Sequence, residues 1–191
     1  MGIKHQQVVV AFDFSALGPL VLARAVALVQ RAPSHILHFI NVVDPHAGVP
    51  AIPHKGPIDH LYADQVRELM SEQIRAAFGT TPIAEEIHFF VHARIGKPAK
   101  EILELAEEVG ADLIMVGHGH IGLQRVVMGS TAEHVVREAG CPVIVVRDKR
   151  YGDVELATVT EVAHQTSHAK LFRFSYKNSN IVMRPPQWPI G

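Results

Sequence analysis

The sequence predicts an α/β fold, a doubly wound parallel sheet with helices on both faces. Short β-branched runs recur over the first 148 residues, clearest at Val8-Val9-Val10-Ala11-Phe12 and at Pro142 to Val146. Stretches with apolar residues at helical spacing separate them, as in Leu17, Leu20, Val21, Ala25, Leu28 and Val29. Glycine or proline stands at most of the junctions. Strand and helix in strict alternation call for right-handed crossovers, and so for a parallel sheet covered on both sides.

The elements follow in order. The first strand spans Val8 to Phe12, and Ser15 is placed to cap a helix from about Ala16 to Arg31 that Pro33-Ser34 ends. A second strand runs from Ile36 to Val43. Asp44-Pro45 opens a loop with Gly48, Pro50, Pro53, Gly56 and Pro57. A helix from about Asp59 to Phe78 carries Leu61, Val66, Leu69, Met70, Ile74 and Ala77, and Gly79 and Pro82 close it. The third strand covers about Glu86 to Ile95. Pro98 suits the first turn of the next helix, which runs to Val109 with Gly110 as its C-terminal glycine. Ala111 to Val116 is the fourth strand, Gly117 to Gly129 a glycine-rich loop, Ser130 to Ala139 a helix and Pro142 to Val146 the fifth strand. In such a sheet the ligand crevice lies at the carboxyl ends of the strands, where the winding reverses.

Composition narrows the function classes. The chain has 191 residues, 48% hydrophobic and 19% charged, with a formal net charge of −1. A near-neutral chain is not built as a general binder of nucleic acid or anionic membrane. Cys141 is the single cysteine, which leaves no intrachain disulfide and no cysteine metal cluster. No apolar run is long enough to span a bilayer. Lys4-His5-Gln6-Gln7 does not read as a secretory leader, and Gln6 stands where myristoylation wants Ser or Thr. The expected setting is a reducing cytoplasm.

Two features can carry chemistry. Gly117-His118-Gly119-His120-Ile121-Gly122, followed by Gly129-Ser130-Thr131 at a helix start, can gather backbone N–H groups and a helix dipole around a phosphate. Ser130 to Glu133 reads as a capping box. The same glycines also serve as plain turns and caps. Asp13, at the end of the first strand, can accept from a ribose hydroxyl or a base amine, or simply cap the first helix. His118 and His120 read as solvated loop histidines, since zinc would need further ligands nearby. His88 and His92, four apart, share one face of the third strand without a catalytic role. Gly96-Lys97-Pro98 lacks the Ser or Thr of a phosphate-binding P-loop, and no nucleophile stands beside a base. No catalytic residues and no metal ligands are assigned.

These residues together resemble the universal stress protein family. Asp13-Phe14-Ser15 after the first strand is similar to its opening motif, and Ala93-Arg94-Ile95-Gly96-Lys97-Pro98 to its third-strand exit. Ala111-Asp112-Leu113-Ile114-Met115-Val116-Gly117 is similar to its fourth strand, Gly119 with nine residues before Gly129-Ser130 to the long half of its nucleotide motif, and Cys141 to Val146 to its last strand. The resemblance implies an adenine-nucleotide alpha-hydrolase-like sheet in the order 3-2-1-4-5. It implies a regulatory, ATP-binding stress-response protein, with or without Mg2+, and at most slow ATP hydrolysis. Asp13 and the backbone at Val42 would meet base and ribose; Gly117, Gly119, Gly129, Ser130 and Thr131 would meet phosphates. A nucleotide-free dimeric scaffold acting through protein partners is the alternative, and an enzyme on the same fold a more distant one. Homodimers would form through Val143 to Val146. The sequence departs from the family in one place, since Gly117-His118-Gly119 is one residue short of Gly-x-x-Gly, and a missing residue shifts a backbone N–H by several ångströms unless the loop re-forms.

The resemblance covers about residues 5–148, so the chain divides into a domain of residues 1–148 and an extension of residues 149–191. The extension holds Tyr151, Phe172, Phe174, Tyr176 and Trp188, too many aromatics for a disordered tail. Leu171 to Tyr176 alternates like a strand, and Lys177-Asn178-Ser179-Asn180 is a turn from which Ile181 to Met183 would return as a hairpin. No acidic residue follows Glu161, while Lys170, Arg173, Lys177 and Arg184 do, so a basic, aromatic docking surface for a partner protein or an anionic ligand is the alternative to a packed hairpin.

Overall fold

The computed structural model describes residues 5–46, 52–53, 56–79, 88–119 and 128–148, together with the backbone of 161–165 and 172–176. The chain divides into two compact units, Met1–Asp148 and Lys149–Gly191.

In the first unit the elements are β1 (Gln6–Ala11), α1 (Gly18–Arg31), β2 (His35–Val43), α2 (His60–Gly79), β3 (Phe89–Ile95), α3 (Pro98–Val109), β4 (Leu113–Gly117), α4 (Ser130–Glu138) and β5 (Val143–Val146). The five strands form one parallel sheet in the order β3-β2-β1-β4-β5, so the expected architecture and strand order hold.

The sheet separates two apolar layers. Val8, Val10, Leu37, Phe39 and Met115 face α1 and α2, where Val21, Leu22, Val66 and Met70 meet them. Val9, Ile40, Ile114 and Val116 face α3 and α4, against Ile102, Leu105, Ala132 and Val135. Val8, Val9 and Val10 are fully buried, which is why β1 reads as an unbroken apolar run. Each such valine contributes roughly 1.5–3 kcal/mol of burial. Tyr62, also fully buried, hides its ring and satisfies its hydroxyl on the backbone N–H and C=O of Ile52.

Element ends differ from the sequence reading in instructive ways. α1 starts at Gly18 with Leu17 at the cap position, not at Ala16 after Ser15. Ser15 Oγ accepts from the Leu17 N–H at 3.2 Å, which spends it on a turn ahead of the helix. α4 begins at Ser130 itself, with Gly129 as its cap, so the capping box does not form. Ser130 is already helical, and the Gly129 carbonyl takes the Glu133 N–H. β3 begins at Phe89, so His88 lies just before the strand, where its carbonyl accepts from the Leu37 N–H at 3.3 Å. Gly110 ends α3 in the left-handed conformation, as expected.

The second unit contains β6 (Glu161–Gln165) and β7 (Phe172–Tyr176), an antiparallel pair. β7 therefore pairs with a strand that precedes it. The expected return over residues 181–183 lies outside the described residues, as do His120, Gly122 and the proline-rich end. Among the described residues no helix is long and apolar enough to cross a membrane.

Replacing Ile114 with Ala is expected to cost about 2–5 kcal/mol, because a buried side chain vanishes from the centre of one layer. Leu61→Ala in α2, where Leu61 is 60% exposed, should change stability by less than about 0.5 kcal/mol. Urea denaturation of the two variants checks the contrast.

Candidate functional site

The carboxyl ends of β1, β2 and β4 open into a cavity of about 590 Å³. All seven residues assigned from the sequence line it: Asp13, Val42, Gly117, Gly119, Gly129, Ser130 and Thr131. They come from separate segments of chain, and the sheet topology brings them to one crevice.

The turn after β1 presents Asp13. Its Oδ1 accepts from the Ser15 N–H at 3.2 Å and from Ser15 Oγ at 2.6 Å. Asp13 is exposed, and Oδ2 takes no part in these two bonds. Two residues that the sequence reading missed support this turn. Asn41, buried in β2, donates from Nδ2 to the Phe12 carbonyl at 2.9 Å, while its Oδ1 is a buried acceptor without a partner among the described residues. Gly18 has no Cβ, and one placed there would collide with the Asp13 carbonyl oxygen. The signals were an amide inside an otherwise apolar strand and a glycine at a helix start, neither of which betrays its partner in sequence.

The glycine side is built from β4 and α4. The His118 N–H donates to the Val146 carbonyl at 2.8 Å, extending the sheet by one bond. Gly119 adopts φ +87°, a left-handed conformation that favours glycine, and a Cβ there would stand 3.0 Å from the Gly129 Cα. The Gly129 N–H donates to the His118 carbonyl at 2.8 Å. The short loop thus closes by seating Gly119 directly on Gly129. His118 is buried at 5% exposure, which corrects the expectation of a solvated histidine. Ser130, Thr131 and Ala132 lie in the first turn of α4, whose N–H groups have no partner within the helix and carry its positive dipole end.

The described lining holds two carboxylates, Asp13 and Asp44, and no Lys or Arg. Among the described residues no group of three His, Cys, Asp or Glu could hold a metal. Cys141 is no activated nucleophile, because burial, reinforced by the Asp112 charge, pushes its thiol pKa up. The crevice therefore offers carboxylate acceptors at one end and the first turn of a helix at the other.

The universal stress protein family model matches residues 4–147, and the chain belongs to that family. Universal stress protein MJ0531 of Methanocaldococcus jannaschii is 32% identical over 148 residues, 75% of this chain and 82% of its own. Among solved structures, the universal stress protein UspA of Lactobacillus plantarum is 26% identical with a TM-score of 0.57, over 75% of this chain and 99% of its own. A universal stress protein of Archaeoglobus fulgidus in complex with dAMP is 22% identical with a TM-score of 0.51, over 76% of this chain and 100% of its own.

Gly18→Ala is expected to displace the Asp13 turn and cost about 1–3 kcal/mol, since the neighbouring atoms are backbone and cannot swing aside. Thermal unfolding of the variant against the parent checks it.

Proposed function

We propose that the chain is an adenine-nucleotide-binding regulatory protein of the stress response, cytoplasmic, with ATP as its ligand. The observation that carries this reading is the meeting of Asp13, Val42, Gly117, Gly119, Gly129, Ser130 and Thr131 in one crevice. Oδ2 of Asp13 accepts a ribose hydroxyl or base amine, and the Val42 backbone borders the base. The first turn of α4 faces the phosphates, where its dipole favours negative charge. The described lining supplies no cationic side chain, so Mg2+ arriving with the triphosphate offsets part of the ligand charge. The dAMP complex of the Archaeoglobus relative supports an adenine nucleotide on this fold. Binding rather than turnover is the role, because the described lining sets no nucleophile beside a base.

A second reading, a nucleotide-free dimeric scaffold, is favoured by one observation. The Gly129 N–H is spent on the His118 carbonyl, which removes one donor from the phosphate end. In both readings β5 pairs with its counterpart in a second copy. It is a sheet edge, and Ile144 on it is 43% exposed. The extension, residues 149–191, supplies a surface for a protein partner.

Titration calorimetry with ATP and Mg2+ is expected to give saturable binding that Asp13→Ala weakens at least about tenfold, or about 1.4 kcal/mol. Absence of heat together with no thermal shift would remove the nucleotide reading and leave the scaffold. Light scattering at micromolar concentration is expected to return twice the mass of one chain; the monomer mass would count against pairing through β5.

A further inference from the structure

The sheet face on the α3 side carries a chain of polar side chains among apolar neighbours. His38 in β2 is buried at 7% exposure. Its Nε2 lies 2.8 Å from Gln7 Oε1 on β1, and its Nδ1 lies 3.2 Å from His92 Nε2 on β3. The Gln7 oxygen can only accept, so His38 Nε2 carries the proton. A neutral His38 then offers Nδ1 as acceptor, and His92 donates from Nε2. The chain therefore runs across three adjacent strands, from the edge inward. It is braced at Gln7 and at the central ring. The Gln7 N–H donates to Asp112 Oδ2 at 2.9 Å, and the His38 ring stacks on Phe90 at 5.0 Å and on His92 at 5.5 Å.

We propose that the His92–His38–Gln7 chain is an acid-sensitive clasp, which holds edge strand β3 to β2 and β1 while both histidines are neutral and lets it loosen when they take up protons. The geometry leaves no place for a second proton between the rings. A singly protonated pair keeps one proton between the rings and so keeps the bond; once both rings are protonated, His38 Nδ1–H is set against His92 Nε2–H, and the hydrogen bond becomes a repulsion. Burial adds to this, and holds His38 down to about 4 from the usual 6.5, with His92 contributing in the same direction. His92 is also lowered, first by burial and then by Arg94 beside it on β3, against an opposing pull from Glu108 of α3. Glu108, Glu101 and Glu104 of α3 act in turn on Arg94. Glu108 binds it through two hydrogen bonds, and Glu101 lies 3.9 Å away. His88 stands exposed just before β3.

An unfolded chain protonates these histidines near pH 6.5, whereas the folded chain resists until lower pH. The stability they confer is complete above about pH 6.5 and drains as pH falls toward about 4. None of this depends on a bound nucleotide.

Long-range nitrogen-15 spectra of the histidines in the full-length protein, from about pH 7.5 to about pH 4.5, read the clasp directly. His38→Gln and His92→Gln assign the signals. His38 is expected to remain in its Nε2–H form below about pH 5.5. Amide exchange of residues 89–95, corrected for intrinsic rates and referred to β1, should rise about tenfold over the same range. The double variant should show little such rise. A wild-type His38 that titrates at 6.5 or above overturns the clasp, as does equal acid loosening in the double variant. Should the double variant not fold, the wild-type titration alone decides.

Discussion

Everything in the first unit depends on burying both faces of β1. Val8, Val9 and Val10 are sealed from water, and alternate side chains belong to different apolar layers. A strand in that position has no polar face to give away, so helices must cover it from both sides. The crossovers that bring those helices round leave the strand ends pointing the same way. The crevice at those ends follows from the burial of the centre, because a helix on each face diverges there and β1 and β4 part company with their next helices on opposite sides of the sheet.

Much of this was legible in the residues. The apolar run at Val8 and the stripe through Val21 to Val29 speak for themselves, because the period of burial equals the period of the structure. The assembly of Asp13 with Gly119 and Gly129 was legible too, through the order of elements and the family resemblance. What was not legible depends on contacts between distant segments. Asn41 reads as an ordinary strand residue until the Phe12 carbonyl lies beside it. Ser15 and Ser130 each look like a helix cap, and both lose the role to a neighbour one or two positions away. His38 was passed over and His92 set aside because a strand shows its own spacing but not what stands opposite on the next strand. In the extension, the alternation of Phe172, Phe174 and Tyr176 announced a strand, but its partner was sought after it at Ile181 to Met183, and the described partner, Glu161–Gln165, precedes it.

The shortened glycine loop illustrates how a local deletion is absorbed. One residue fewer between Gly117 and Gly119 does not strand the backbone. Gly119 turns left-handed, and the Gly129 N–H finds the His118 carbonyl. The Gly129 N–H is thereby committed to an internal bond, and His118 beside it is buried.

The cavity wall has a further consequence. Leu17 and Val21 reach it from α1 on one side of the sheet, and Ile102 and Ala132 reach it from α3 and α4 on the other. A molecule seated there touches both layers at once. Its binding free energy is then shared by the whole unit, and unfolding of either layer must first release it. Occupancy by such a ligand would protect the folded unit against proteolysis through mass action, with a hundredfold excess over the dissociation constant worth about 2.7 kcal/mol.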